Sequence, residues 1–312
     1  MTETLLLIVF GFGVGILVGT TGMGGGSLMT PLLIIVFGIK PVLAIGTDIF
    51  YAAVTKTVGG WTHFRKGTVD MGISLWLGVG SIPATIAGVW VLKIIERHAG
   101  AQFDSIVLGM VAGALLITGV AVLWRAMFST ASHARERTTI DLQTRHKVAA
   151  VGVGVLVGFV LGVTSAGSGA LIALFLIMLF RLTPHRVVGT DVFHAAILLW
   201  AASVAHFASG NIDFALAGSI MIGSIPGVWV GSHLAARMPE RGLRPALGIV
   251  LLAASMGLIT KAGYDIPPYV IVGIPVLLAL WAWRRTARMG RVVPAVPGST
   301  LPVVVTQGAD AP

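Results

Sequence analysis

A tripeptide, Gly46-Thr47-Asp48, returns as Gly189-Thr190-Asp191, and the 143-residue shift between them stays in register over a long stretch. The same shift lays Pro41 on Pro184, His63-Phe64 on His206-Phe207, Gly67 on Gly210 and Asp70 on Asp213. It also lays Gly80-Ser81-Ile82-Pro83 on Gly223-Ser224-Ile225-Pro226, without a gap anywhere. Coincidence in a glycine-rich chain supplies one such match but not a series in register. The chain is two copies of one unit, and its fold must accommodate both.

Each copy is a succession of apolar runs. The first holds residues 5–18, 28–39, 42–60, 71–92 and 103–124; the second holds 148–161, 171–182, 185–207, 214–236, 244–260 and 269–283. Only 11% of residues are charged and 56% are hydrophobic, whereas a soluble domain carries about 25% charged residues. The runs are continuous rather than alternating, which excludes a transmembrane β-barrel and predicts helices in a bilayer. The first two runs of each copy are short. At 1.5 Å per residue, residues 5–18 reach only about 21 Å, less than a hydrocarbon core of roughly 30 Å.

Charge then sets the topology. The net charge is +9, but the basic residues sit at the ends of apolar runs and in the loop 125–147, a membrane-orientation pattern rather than a nucleic-acid surface. With that loop in the cytoplasm, the basic Arg284-Arg285 also falls inside, five runs precede the loop, and the N-terminus falls outside. The two copies therefore start from opposite faces. The expected fold class is an all-α polytopic membrane protein with two inverted repeats, each a broken or re-entrant helical hairpin plus three further transmembrane helices. The expected organisation is repeat 1 at 1–125, a cytoplasmic basic loop at 126–146, repeat 2 at 147–284 and a disordered cytoplasmic tail at 285–312. The start, Met1-Thr2-Glu3-Thr4, lacks the basic region of a signal peptide.

Between the two short runs of each copy lies a break of small residues. The first reads Gly19-Thr20-Thr21-Gly22-Met23-Gly24-Gly25-Gly26-Ser27 and the second Gly162-Val163-Thr164-Ser165-Ala166-Gly167-Ser168-Gly169-Ala170. Irregular backbone at membrane depth is tolerated only where protein or a water-lined cavity covers it. Each break opens a helix whose free N–H groups favour an anion. The expected substrate-binding set is Thr20, Thr21, Gly24, Gly25, Gly26, Ser27, Thr164, Ser165, Gly167, Ser168 and Gly169. The competing reading is that the glycines merely permit tight hairpins. Neither break matches a nucleotide motif, so ATP-driven transport has no support.

Asp48 and Asp191 fall inside apolar runs, where a carboxylate costs about 2.5–3.5 kcal/mol on insertion scales and often marks an ion path. Together with Thr47 and Thr190 they are candidates for coupling or gating, with helix capping the structural alternative. Lys56, a further candidate for coupling or gating, has no basic counterpart, since Leu199 takes the matching position; attracting an anion and pairing with Asp48 are its alternative roles, and snorkelling to the inner face is the expected one. His63 and His206 are expected at the interface, and no ligand spacing accompanies either, so no metal or other cofactor is expected. His194 and His233 match Tyr51 and Trp90 and receive no role. Gly11, Gly15 and Gly19, matched by Gly154, Gly158 and Gly162, put a small-residue stripe on one helix face for close packing. Pro83 and Pro226 are expected to bend their helices. Cysteine is absent, which excludes disulfides and thiol chemistry.

The segment Gly46-Thr47-Asp48-Ile49-Phe50-Tyr51-Ala52-Ala53-Val54-Thr55-Lys56, followed by His63, Gly67 and Asp70, resembles the sulfite exporter TauE/SafE family of bacterial membrane transporters. The resemblance covers residues 5–284. It implies a secondary carrier, not an enzyme, that exports sulfite or small organosulfonates across the inner membrane. Its partners would be the lipid bilayer, a small anionic substrate and protons as a coupling ion, with the oligomeric state open and a homodimer compatible. A membrane-embedded enzyme and a passive anion channel are the alternatives. The second tip departs from the first, with Ala166 for Met23 and Ser168 for Gly25, so the two halves of a site would not be equivalent.

Overall fold

The computed structural model describes residues 2–21, 26–128, 142–166, 169–235, 240–264, 267, 269–270, 273–278 and 281. Apolar side chains and the need to satisfy every backbone amide internally make these residues helical. The first repeat holds α1 (Thr2–Thr21), α2 (Gly26–Phe37), α3 (Pro41–Arg65), α4 (Met71–Ala99) and α5 (Phe103–Phe128). The second holds α6 (Thr144–Thr164), α7 (Ala170–Phe180), α8 (Pro184–Ala208), α9 (Phe214–Ala235) and α10 (Glu240–Lys261). Residues 269–270 and 273–278 are helical too, and no β-strand occurs among the described residues. Among the described residues five stretches are long and apolar enough to cross a membrane, one of them running through both α4 and α5. Leu75, Val79, Trp90, Ile117 and Trp229 point outward at 60% exposure or more, an apolar exterior suited to lipid rather than water.

The hairpin arms differ from expectation in length. α1 has 20 residues and α6 has 21, against 14 in each apolar run, whereas α2 and α7 have only 12 and 11. The long arms continue because polar residues at their starts, such as Thr144 to Lys147, stay helical, and because their far ends remain packed. Each hairpin thus combines a membrane-length arm with a short one. Phe37, at the end of α2, meets Phe10 midway along α1 with ring centroids 4.8 Å apart. The short arm returns about half the length of the long one.

The long arms pack on the opposite repeat. α1 lies against α9, and α6 lies against α4. The glycine stripes are the reason: a Cβ on Gly11, Gly15 or Gly19 would strike the backbone at Ile220, Ser224 and Val228 of α9. One on Gly154, Gly158 or Gly162 would strike Leu77, Ser81 and Thr85 of α4, the same three positions one repeat earlier. The packing role of these glycines holds. Without Cβ atoms the helices approach to backbone contact, as small-residue interfaces in membranes do.

Further contacts are reciprocal in the same way. The Asp70 amide donates to Thr190 Oγ1 at 2.9 Å, and the Asp213 amide donates to Thr47 Oγ1 at 3.0 Å. Asp70 and Asp213 in turn cap α4 and α9, accepting from the amides of Ile73 and Leu216. Two residues even meet their own counterparts: Trp200 Nε1 donates to Thr57 Oγ1 at 2.9 Å, and Ser255 Oγ donates to the Ala112 carbonyl at 2.7 Å. These self-pairings lie between α3 and α8 and between α5 and α10. Along the second crossing Gly119 faces Gly248 while Ala112 faces Ser255, so α5 and α10 run antiparallel.

Candidate functional site

The second break is the better defined. α6 ends at Thr164, whose hydroxyl donates to the Val160 carbonyl and accepts from the Ala166 amide. Ser165 then takes a left-handed conformation, φ 61°, closing the helix with a 2.8 Å bond from its amide to Leu161. That turn aims its side chain inward, and Ser165 Oγ donates to Asp48 Oδ2 at 2.7 Å. Thr30 Oγ1 on α2 donates to the same oxygen at 2.5 Å. One carboxylate of repeat 1 therefore joins its own short arm to the break of repeat 2. Asp48 is fully buried, and its Oδ1 has no hydrogen-bond partner among the described residues. Buried polar atoms are almost always satisfied in native structures, so an orphan carboxylate oxygen at the centre of the molecule needs an explanation.

Lys56 does not snorkel. It is 7% exposed, and its ammonium is within electrostatic reach of Asp191 and, more weakly, Asp48. Its helix, α3, packs along α8, and Lys56 is buried there rather than directed outward. Asp191 is 8% exposed on α8. Its surroundings differ from those of Asp48 because the counterparts of Thr30 and Ser165 are Ala173 and Gly22, which carry no hydroxyl.

The other expected residues divide by position. Thr47 and Thr190 are fully buried and act as reciprocal bridges between repeats through the amides of Asp213 and Asp70. Thr20 is half-buried, with its hydroxyl donating to the Leu17 carbonyl, and Ser27 is half-buried in the first turn of α2. Thr21 closes α1, Gly26 opens α2, and a buried Gly169 precedes α7. Gly24, Gly25, Gly167 and Ser168 lie outside the described residues.

The interfacial placement expected for His206 is overturned. It is fully buried, and its Nε2 donates to the Gly162 carbonyl at 3.0 Å. That carbonyl lies in the last turn of α6, where helical acceptors lack amide partners, so an imidazole can serve there. His63, the counterpart, is only part-buried and sits 2.9 Å from Thr68 Oγ1. Two residues without an assigned role also enter the interior. His194 is 2% exposed with Nε2 3.2 Å from Ser81 Oγ, and Tyr51 is 1% exposed at the matching position of repeat 1. Thr30 went unnoticed in the sequence because its repeat counterpart is alanine. No group of three His, Asp or Glu side chains among the described residues is placed to hold a metal ion.

A concavity of about 430 Å³ lies where α6 begins and α7 ends, lined among others by Arg145, His146 and Arg181. Its counterpart positions, Thr2, Glu3 and Gly38, carry no cation.

A family model described as "Sulfite exporter TauE/SafE" matches residues 7–258. "Probable membrane transporter protein YjnA" of Bacillus subtilis strain 168 is 34% identical over 253 residues, covering 81% of this chain and 98% of its own. YdhB of the same strain, also titled a probable membrane transporter, is 26% identical over 255 residues, covering 82% and 99%. A protein of that title from Xylella fastidiosa strain 9a5c is 26% identical over 267 residues, covering 84% and 98%. No solved structure matches the chain. With the matched region running from α1 into α10, the chain is a multi-pass membrane protein that belongs to the sulfite exporter TauE/SafE family of membrane transporters.

Proposed function

We propose that the chain is a secondary transporter that exports a small sulfur-containing oxyanion, such as sulfite or an organosulfonate, by alternating access between two inverted repeats. The observation that carries this reading is the Ser165–Asp48 hydrogen bond, which joins the break of one repeat to a buried carboxylate of the other. Transporter sites form where broken helices of such repeats meet near the midplane. The antiparallel passage of α5 and α10 supports inversion. The repeats occupy 1–125 and 147–284, joined by a cytoplasmic loop at 126–146 and followed by a cytoplasmic tail at 285–312. The membrane is the bacterial inner membrane, with the N-terminus outside and the C-terminus in the cytoplasm.

In this reading Gly24–Gly26 with Ser27, and Gly167–Gly169 with Thr164 and Ser165, present amides and hydroxyls to the anion, with Thr20 and Thr21 at the end of the first long arm. Asp48 and Asp191 are the candidate proton-coupling groups. The pocket of Arg145, His146 and Arg181 supports export, since it would concentrate anions at the cytoplasmic mouth. Purified protein in liposomes, loaded with sulfite or an organosulfonate and assayed with and without a pH gradient, tests this. Saturable flux driven by the gradient is expected. Absence of flux for every sulfur oxyanion would refute the substrate class, and flux indifferent to pH would remove the coupling role.

A further inference from the structure

Among the described residues, Lys56 is the one buried lysine or arginine. It neighbours a position that meets its own repeat counterpart, since the next residue, Thr57, accepts a bond from Trp200. The matching position is Leu199, fully buried, so only one of the two copies puts a cation into the interior here. Asp191 and Asp48 both act on it, and Asp48 keeps an unpartnered, fully buried Oδ1. An anion brought into a low-dielectric interior needs compensating charge, and no other Lys or Arg inside the described structure supplies it.

Resting on the transport reading above, we propose that Lys56 is the residue that receives the substrate's negative charge, and that the site is built for monoanions in preference to dianions. In the empty protein the carboxylates of Asp191 and, more weakly, Asp48 act electrostatically on the ammonium. With both ionised, the trio carries one net negative charge, which repels an incoming anion. A monoanion enters without changing that total if one carboxylate takes up a proton; the ionisable groups that act on Lys56 are Asp48, Asp191 and His194 on α8, and Tyr51 on α3 acts on Asp48. A dianion needs a second proton, or leaves an extra buried charge against a single lysine. Lys56 therefore sets both where the anion binds and how much charge it can bring.

The test uses the full chain in liposomes. Wild-type flux of hydrogensulfite is challenged with methanesulfonate, a monoanion, and with sulfate and sulfoacetate, which are dianions. Methanesulfonate should compete at least about tenfold more strongly than sulfate. Lys56→Leu, which copies the counterpart position, should weaken half-saturation about a hundredfold, and Lys56→Arg should recover part of that loss. Equal competition by monoanions and dianions overturns the charge preference. Unchanged half-saturation in Lys56→Leu overturns the assignment of Lys56. Either result leaves wild-type transport standing, whereas a wild-type protein that moves no sulfur oxyanion refutes the underlying transport reading instead. Should Lys56→Leu fail to fold, the wild-type competition series and Lys56→Arg still decide the matter: raised half-saturation at unchanged maximal rate in Lys56→Arg supports the assignment, and equal competition by monoanions and dianions overturns the charge preference.

Discussion

Replacing Ser165 with alanine removes one hydroxyl, and the consequence can be worked out from where that hydroxyl points. Its 2.7 Å bond to Asp48 Oδ2 is the polar contact that fastens the second break to the core of the first repeat. A hydrogen bond to a charged acceptor contributes about 1.5–3 kcal/mol, so losing about 2 kcal/mol changes the balance between this conformation and one with the break released by roughly thirtyfold. Ala166, the next residue, is 1% exposed and reports on release. The natural chain lacks cysteine, so Ala166→Cys introduces a single thiol with no background. Its reaction with a small maleimide in proteoliposomes should be slow in the parent and roughly thirtyfold faster once Ser165→Ala is added. Thr30→Ala is the control, because Thr30 binds the same carboxylate oxygen but joins α2 to α3 within one repeat. It should lower stability without a comparable acceleration. Equal labelling with and without Ser165, or an equal acceleration from Thr30→Ala, would refute the assignment of this bond as the fastening between repeats.

Gly26→Leu or Gly169→Leu should abolish flux while leaving protein in the membrane, since each places a bulky side chain where a short arm opens; normal transport in both would return those glycines to a packing role. Gly15→Leu and Gly158→Leu, by contrast, should remove folded protein altogether, because each side chain would collide with helix backbone at Ser224 or Ser81, at a cost beyond the 1–3 kcal/mol typical of overpacking; size-exclusion of detergent extracts reads this directly. Gly113→Ala, with open space around it, should behave as the parent does. Thr47→Val and Thr190→Val each deprive a capping-residue amide of its acceptor, so both should lower the detergent melting midpoint by a similar amount, equivalent to about 1–3 kcal/mol. A clear effect in only one would contradict their reciprocal placement.

The architecture was legible because the repeat shift is a statement about contacts as well as sequence. Once Gly11, Gly15 and Gly19 recur as Gly154, Gly158 and Gly162, two equivalent close helix crossings follow, and both are present. Arm lengths were not legible, because hydropathy ends where polar residues begin, while helical geometry continues through Thr144 to Lys147. The site was half legible. Apolar context marked Asp48 and Asp191 as buried carboxylates, and small-residue content marked the break containing Ser165. Lys56 and His206 were misplaced for a shared reason: position along one helix gives no depth until the neighbouring helix is known. Here that neighbour was α8 for Lys56 and the end of α6 for His206. Thr30 lacked any repeat signal, since symmetry highlights what was kept twice rather than what one copy acquired.

The self-pairing of Thr57 with Trp200 constrains how such a protein can have arisen. Positions beside a two-fold axis confront themselves, so two separate identical half-chains could present two lysines to one another or none. Two ammoniums at this crossing would repel in a medium that screens them poorly, and two leucines would leave an anion uncompensated. Joining the halves into one polypeptide removes that restriction, because residue 56 and residue 199 can then change independently. A single charge at this crossing is closed to a pair of identical half-chains and open to the fused form.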